Sequence, residues 1–309
     1  MIRRVLIPFI LLFLTLLIGV AISQEPEKVS DKSSAELVFG YDAKLVREIG
    51  GSFNSIKIAL DSFAQKINSR FALKWHKNTS EMIDALDEDK ITCASIMALS
   101  YLFSEKKNIK PLVAAIASYS EDTTVRYVLV VRKDSGINTL EKLEGKIYAI
   151  CKADEVGGLY VSTELAKNKL KSIHNFFDKT QLYDSQEEAF YSVYFKKSSA
   201  TLISDDTLKM MMELNPAIKD QIHIICTSEK YIVGGLFVNV NINNDLEKGL
   251  IETSVNLHNT VSGRQTLKLV RMKKLQKMTD ADFDGIRALL KEYKELTNTD
   301  YKEIYEKMQ

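Results

Sequence analysis

From Arg126 to Leu170 the chain spells strand, turn, strand, helix. RYVLVVR (126–132) is a strong strand run, and KDSGINTLEKLEGK (133–146) follows it, with Asn138 and Glu141 at capping-box spacing. KIYAIC (146–151) is a second strand. A helix from about Gly157 to Lys171 then buries Leu159, Leu165 and Leu170. Between strand and helix lies CKADEVGGLY (151–160), the layout of an anion site, in which backbone N–H groups at a helix start face a phosphate or carboxylate. Asp154 and Glu155 stand where such a site usually offers hydroxyls.

The same alternation runs through the rest of the chain. AELVFGY (35–41), FALKWH (71–76), ITCASI (91–96) and PLVAAIAS (111–118) read as strands. SIKIALDSFAQKI (55–67) carries Ile56, Leu60, Phe63 and Ile67 on one helix face. Thr79 or Ser80 is expected to cap a short helix bearing Met82, Ile83 and Leu86, and another short helix lies around Ser100–Glu105. Further on come a helix at 185–195, strands ATLIS (200–204), QIHIIC (221–226) and VGGLFVNV (233–240), and a helical tail. That tail runs from 244–260 through a helix capped by Thr279, with Asp280 and Asp282 behind it, to one after Asp300. Strands alternating with helices predict α/β layering in two units. The polar joints 119–126 and 227–234 place lobe 1 at 35–122 and 234–309 and lobe 2 at 123–233. A ligand is then expected in the cleft between lobes, at the carboxyl ends of strands.

Arg3 and Arg4, the apolar run 5–20, and Ala21 and Ser23 ahead of Gln24 read as a secretory signal (1–23) with its cleavage site, followed by a polar linker (24–34). An uncleaved anchor is the alternative. Loss of Arg3 and Arg4 takes the net charge from +1 to −1, with Lys and Glu interspersed. Such a surface does not suit a nucleic-acid partner. Cys93, Cys151 and Cys226 are odd in number and far apart, and are expected to be buried and unpaired. The four histidines are dispersed, so neither a metal site nor a cofactor is expected.

YVLVVRKDSGINTLEKLEGKIYAI, followed by the Gly-bearing helix, resembles the phosphate/phosphonate-type periplasmic substrate-binding proteins of ABC transporters. The matching residues are Asp134-Ser135-Gly136-Ile137, Leu140, Leu143, Gly145 and Lys146. The resemblance implies a type 2 periplasmic-binding-protein fold: α/β, two-lobed, each lobe a mixed sheet flanked by helices. It also implies that the end of AELVFGY borders the ligand, which brings in Tyr41 and Asp42. SIMALSYLF (95–103) is similar to a segment ending in a ligand-facing tyrosine, here Tyr101, and the stretch 185–206 to one leading to an aspartate, here Asp205. The chain departs from the family at two points. Asp154-Glu155-Val156-Gly157-Gly158 replaces the usual S-T-S-G run, and Gln186 stands where a histidine is common.

A carboxylate about 4 Å from a ligand anion costs roughly 1 kcal/mol in water and about 4 at an effective dielectric of 20. Lost hydroxyl donors to a charge remove roughly 1.5–3 kcal/mol each. A tight inorganic-phosphate site with both acids pointing inward is therefore not expected. Three roles stay open for Asp154 and Glu155: capping the helix while pointing away, pairing with a ligand ammonium, or accepting hydroxyls of a neutral ligand. The Gly157 and Gly158 amides are expected to remain available to an anion. Trp75 reads as lobe packing. With no G-x-S-x-G, metal motif or P-loop, no catalytic residues are expected. The chain is thus expected to be an exported, monomeric solute-binding protein that closes around a small polar ligand, phosphonate-like, zwitterionic or amine-bearing, and serves a membrane permease. A periplasmic sensing subunit docked on a signalling receptor is the alternative.

Overall fold

The computed structural model describes residues 36–42, 70–152, 154–269 and 272–308. The expected helix 55–67 and the leader and linker lie outside these residues. The chain divides into two units. The first takes the described residues up to Thr123 together with Gly234–Asp280, and the second takes Thr124–Val233 together with the described residues from Ala281 on. The chain passes between the units after Thr123, after Val233 and after Asp280.

The first unit contains β1 (Glu36–Asp42), β2 (Arg70–His76), β3 (Cys93–Met97), β4 (Ile109–Ala117), β10 (Gly234–Asn239) and β11 (Met272–Lys277) in the order β11-β4-β10-β3-β1-β2. β1 pairs parallel with β2 and β3, whereas β10 runs antiparallel to β3 and β4. Leu37, Phe39, Cys93, Val113, Leu236 and Val238 pack its core with Leu246 and Leu250 of α6 (Asn244–Val255). Two further helices follow β2 and β3: α1 (Thr79–Asp87) and α2 (Ala98–Ser104). Asn78, not Thr79 or Ser80, caps α1, its side-chain oxygen accepting from the Glu81 N–H at 2.9 Å. The tail region forms α7 (Val261–Leu269) and then β11, a strand missed because half of MKKLQK is lysine.

The second unit is a five-stranded sheet, β7-β6-β8-β5-β9, built from β5 (Thr124–Arg132), β6 (Ile147–Cys151), β7 (Lys179–Tyr183), β8 (Ala200–Ser204) and β9 (Ile222–Ile232). β6 is parallel to β7 and β8, and β5 is antiparallel to β8 and β9. The three parallel strands lead into α3 (Glu155–Lys167), α4 (Gln186–Tyr194) and α5 (Asp205–Leu214), so three helix starts share one edge of the sheet. Thr124 and Ile232 are paired at that edge too, where the chain enters and leaves the unit. Between β5 and β6 only short 3-10 turns form. Asn138 makes no capping box there; its side-chain oxygen accepts from Lys142 Nζ at 2.8 Å.

Lobe 1 was expected to hold all of 234–309, but 281–309 belong to the second unit. α8 (Asp284–Thr297) buries Ile286, Leu289 and Tyr293 against α3 and β9, and α9 (Tyr301–Met308) follows it. Lys167 on α3 pairs with Glu292 at 3.2 Å, and the Tyr293 and Tyr301 rings meet edge-on at 5.2 Å. An amphipathic helix declares which of its faces is buried, but not which sheet buries it.

Candidate functional site

At the shared edge of the second unit, β6 and β7 end side by side. The Lys152 N–H donates to the Tyr183 carbonyl at 3.0 Å, and Lys152 Nζ lies 2.6 Å from Asp184 Oδ1. Asp154 then sits at the N-cap of α3 without capping it through its side chain. Both of its carboxylate oxygens accept from Gln186 Nε2, at 3.0 and 2.8 Å. Gln186 Oε1 accepts in turn from the Ser204 N–H at 3.0 Å. One glutamine side chain thus ties the starts of α3, α4 and α5 together. Ser185 and Ser204 cap α4 and α5, accepting from Glu188 N and Thr207 N at 3.1 Å each.

Asp154 as a residue keeps partial solvent contact, whereas its carboxylate is enclosed by protein. The enclosure decides its titration. Burial pushes the carboxyl up to about 7, the Gln186 hydrogen bond pulls it back, and the nearby Glu187 charge raises it again. Among the described residues no Lys, Arg or His forms an ion pair with Asp154, so its charge is met by an amide alone.

Glu155 turns the other way. Its Oε1 accepts from the Tyr305 hydroxyl of α9 at 2.7 Å. α3 begins at Glu155, two residues earlier than expected, and this changes the role of the glycine pair. The Gly158 amide donates to the Asp154 carbonyl at 3.0 Å inside the helix, so it is not available to an anion. The two glycines serve close packing instead. A Cβ at Gly157 would lie 2.6 Å from Leu202 Cδ2, and one at Gly158 would lie 3.2 Å from the Tyr301 hydroxyl.

Asp205 is the first residue of α5 rather than its cap, and pairs with Lys209 at 2.6 Å. In the first unit, Tyr41 and Asp42 end β1 in register with Trp75 and His76 of β2. Trp75 is 38% exposed at this strand end, not packed inside its unit as expected. The Tyr101 hydroxyl donates to Asp280 Oδ1 at 2.7 Å, and its ring lies 4.6 Å from that of Phe237. The second unit therefore brings Asp154, Gln186 and the start of α5 together, and hands Glu155 to the C-terminal helix. Sequence reasoning missed Lys152, Asp184 and Ser204. Lys152 lies inside the loop first singled out, and Ser204 carries the serine-before-acids pattern of a helix cap.

A model of the periplasmic substrate-binding proteins of phosphonate ABC transporters matches residues 55–283. The chain belongs to this family. This solute-binding protein is also similar in fold to solved structures of low sequence identity. A binding-protein component of a phosphonate ABC transporter from Pseudomonas aeruginosa is 15% identical, with a TM-score of 0.60 over 89% of this chain and 94% of that one. A Xanthomonas citri protein solved with ATP is 14% identical, with a TM-score of 0.62 over 86% and 99%. PhnD1 from Prochlorococcus marinus, solved with methylphosphonate, is 14% identical, with a TM-score of 0.58 over 83% and 97%. No curated protein matches the chain. The two α/β units are thus those of a two-lobed periplasmic binding protein, whose role is to bind a small solute for an ABC permease. The family match gives no support to the alternative reading as a sensing subunit.

Proposed function

We propose that the solute carries an ammonium group alongside an anionic one, as an aminoalkylphosphonate does. The protein acts in the periplasm as a monomer after losing residues 1–23, and releases its solute chemically unchanged to the permease. The observation that carries this reading is Asp154: an enclosed carboxylate at the carboxyl end of β6, hydrogen-bonded by Gln186 and lacking a cationic partner among the described residues. A ligand ammonium about 4 Å away would gain roughly 1–4 kcal/mol from that carboxylate, and a phosphonate oxygen placed there would lose as much. The methylphosphonate bound by the Prochlorococcus marinus protein has no ammonium to offer. The hydroxyl-rich loop typical of the family suits such a ligand better than the acidic loop here.

Calorimetric titration tests the proposal. Wild-type protein is expected to bind aminoethylphosphonate at least about tenfold more tightly than methylphosphonate, and Asp154→Asn to bring that ratio near one. Because the carboxyl titrates near 7, ammonium binding should release a proton, and affinity should rise with pH through that region. Equal or better binding of methylphosphonate by the wild type would sink the proposal.

A further inference from the structure

The anionic half of such a solute also needs a partner, and one of the two amides expected to serve it, that of Gly158, is spent inside α3. Lys152 and Lys209 lie close to the starts of α3 and α5. Lys209 is held by Asp205 one turn along its own helix. Lys152 differs. It lies on the strand-end turn itself, two residues before Asp154, its backbone fixed to Tyr183. Its ammonium reaches across to Asp184, which directly follows β7 and precedes the Ser185 cap of α4. The side chains of the pair are 50% and 72% exposed. Exposed pairs of this kind are weak and exchange partners readily.

We infer that Lys152 is a specificity-determining residue that binds the anionic group of the solute, which displaces Asp184 as its counter-ion. Lys152 and Asp154 then read opposite ends of one small zwitterion from a single turn. A mobile ammonium replaces the hydroxyl donors of the family loop and serves a doubly charged phosphonate as a point charge. Asp184 keeps the lysine oriented and competes with the solute for it. The inference rests on the zwitterion reading for its substrate class, but its test is separate.

The test uses methylphosphonate and aminoethylphosphonate with full-length protein, and its two substitutions should act in opposite directions. Lys152→Gln is expected to weaken both ligands by about tenfold or more while leaving their ratio intact. Asp184→Asn should tighten both by about two- to fivefold, because the competing carboxylate is removed. Both variants should melt within a few degrees of wild type, as expected for an exposed pair. A purely structural pair would give matched effects from the two substitutions. Lys152→Gln binding as tightly as wild type, Asp184→Asn weakening the ligands as Lys152→Gln does, or wild type binding neither ligand would each overturn the inference. Loss of the ammonium preference alone would sink the reading of Asp154 and leave the methylphosphonate result for Lys152 standing.

Discussion

Asp154→Asn is expected to stabilise the ligand-free protein at pH 8 while removing its preference for an ammonium. Moving a carboxyl from its ordinary 3.8 to about 7 on folding corresponds to about 4 kcal/mol of stability forfeited once the group is ionised in both states. Partial solvent contact of the residue makes this an upper limit. The sign follows from proton counting. Between about pH 4 and 7 the folded chain holds a proton at Asp154 that the unfolded chain has released, so stability falls as pH rises through this window. Below it both states are protonated and the penalty vanishes; above it the penalty is complete. An amide of the same shape keeps an oxygen for Gln186 Nε2 and has no charge to desolvate. The variant should therefore gain roughly 5–10 °C over wild type at pH 8, and the two should converge near pH 4. Parallel melting curves from pH 4 to 8 would show that the carboxylate is not penalised. The result expected is that of a site charge kept at a cost to stability.

Gly234→Ala should be the more damaging of two glycine replacements at positive φ. Gly234 opens β10 at φ +147°, and a Cβ there would stand 2.5 Å from the Ile96 carbonyl oxygen and 3.0 Å from Met97 Cα. Both obstacles are backbone of the neighbouring strand, so no rotamer change relieves them. β10 lies between β3 and β4, and forcing it outward weakens a ladder on each side. The expected loss is about 3 kcal/mol or more, or roughly 1–2 M in the urea midpoint. Gly136→Ala is the control. Its φ is +71°, but nothing lies within 4 Å of the added carbon, so the cost should stay near about 1 kcal/mol. Equal midpoints for the two variants would refute the steric argument.

The strand–turn–strand–helix unit of 126–167 was legible because its signals are local: apolar runs, a D-S-G turn and a periodic helix. The Asp154 loop was located for the same reason. What holds Asp154 was not legible, because Gln186 lies 32 residues away and nothing in the spacing announces an amide between two helix starts. The start of α3 was misplaced by reading the glycine pair as the helix start, when both lie inside the helix, close to Leu202 and Tyr301. β7 was passed over because KTQLY is a short strand only partly covered, and β11 because half of its residues carry charge. The tail went to the wrong unit because helix periodicity carries no address.

That tail also sets when the protein can finish folding. Glu155 meets Tyr305 across 150 residues of chain, and the face of α3 beneath α8 and α9 is covered by a segment synthesised after all of β5 through β9. An emerging polypeptide therefore holds β5 through β9 well before it holds the helices that complete their unit. Contacts of such long sequence separation form slowly. The second unit therefore stays unfinished until α8 and α9 have left the ribosome.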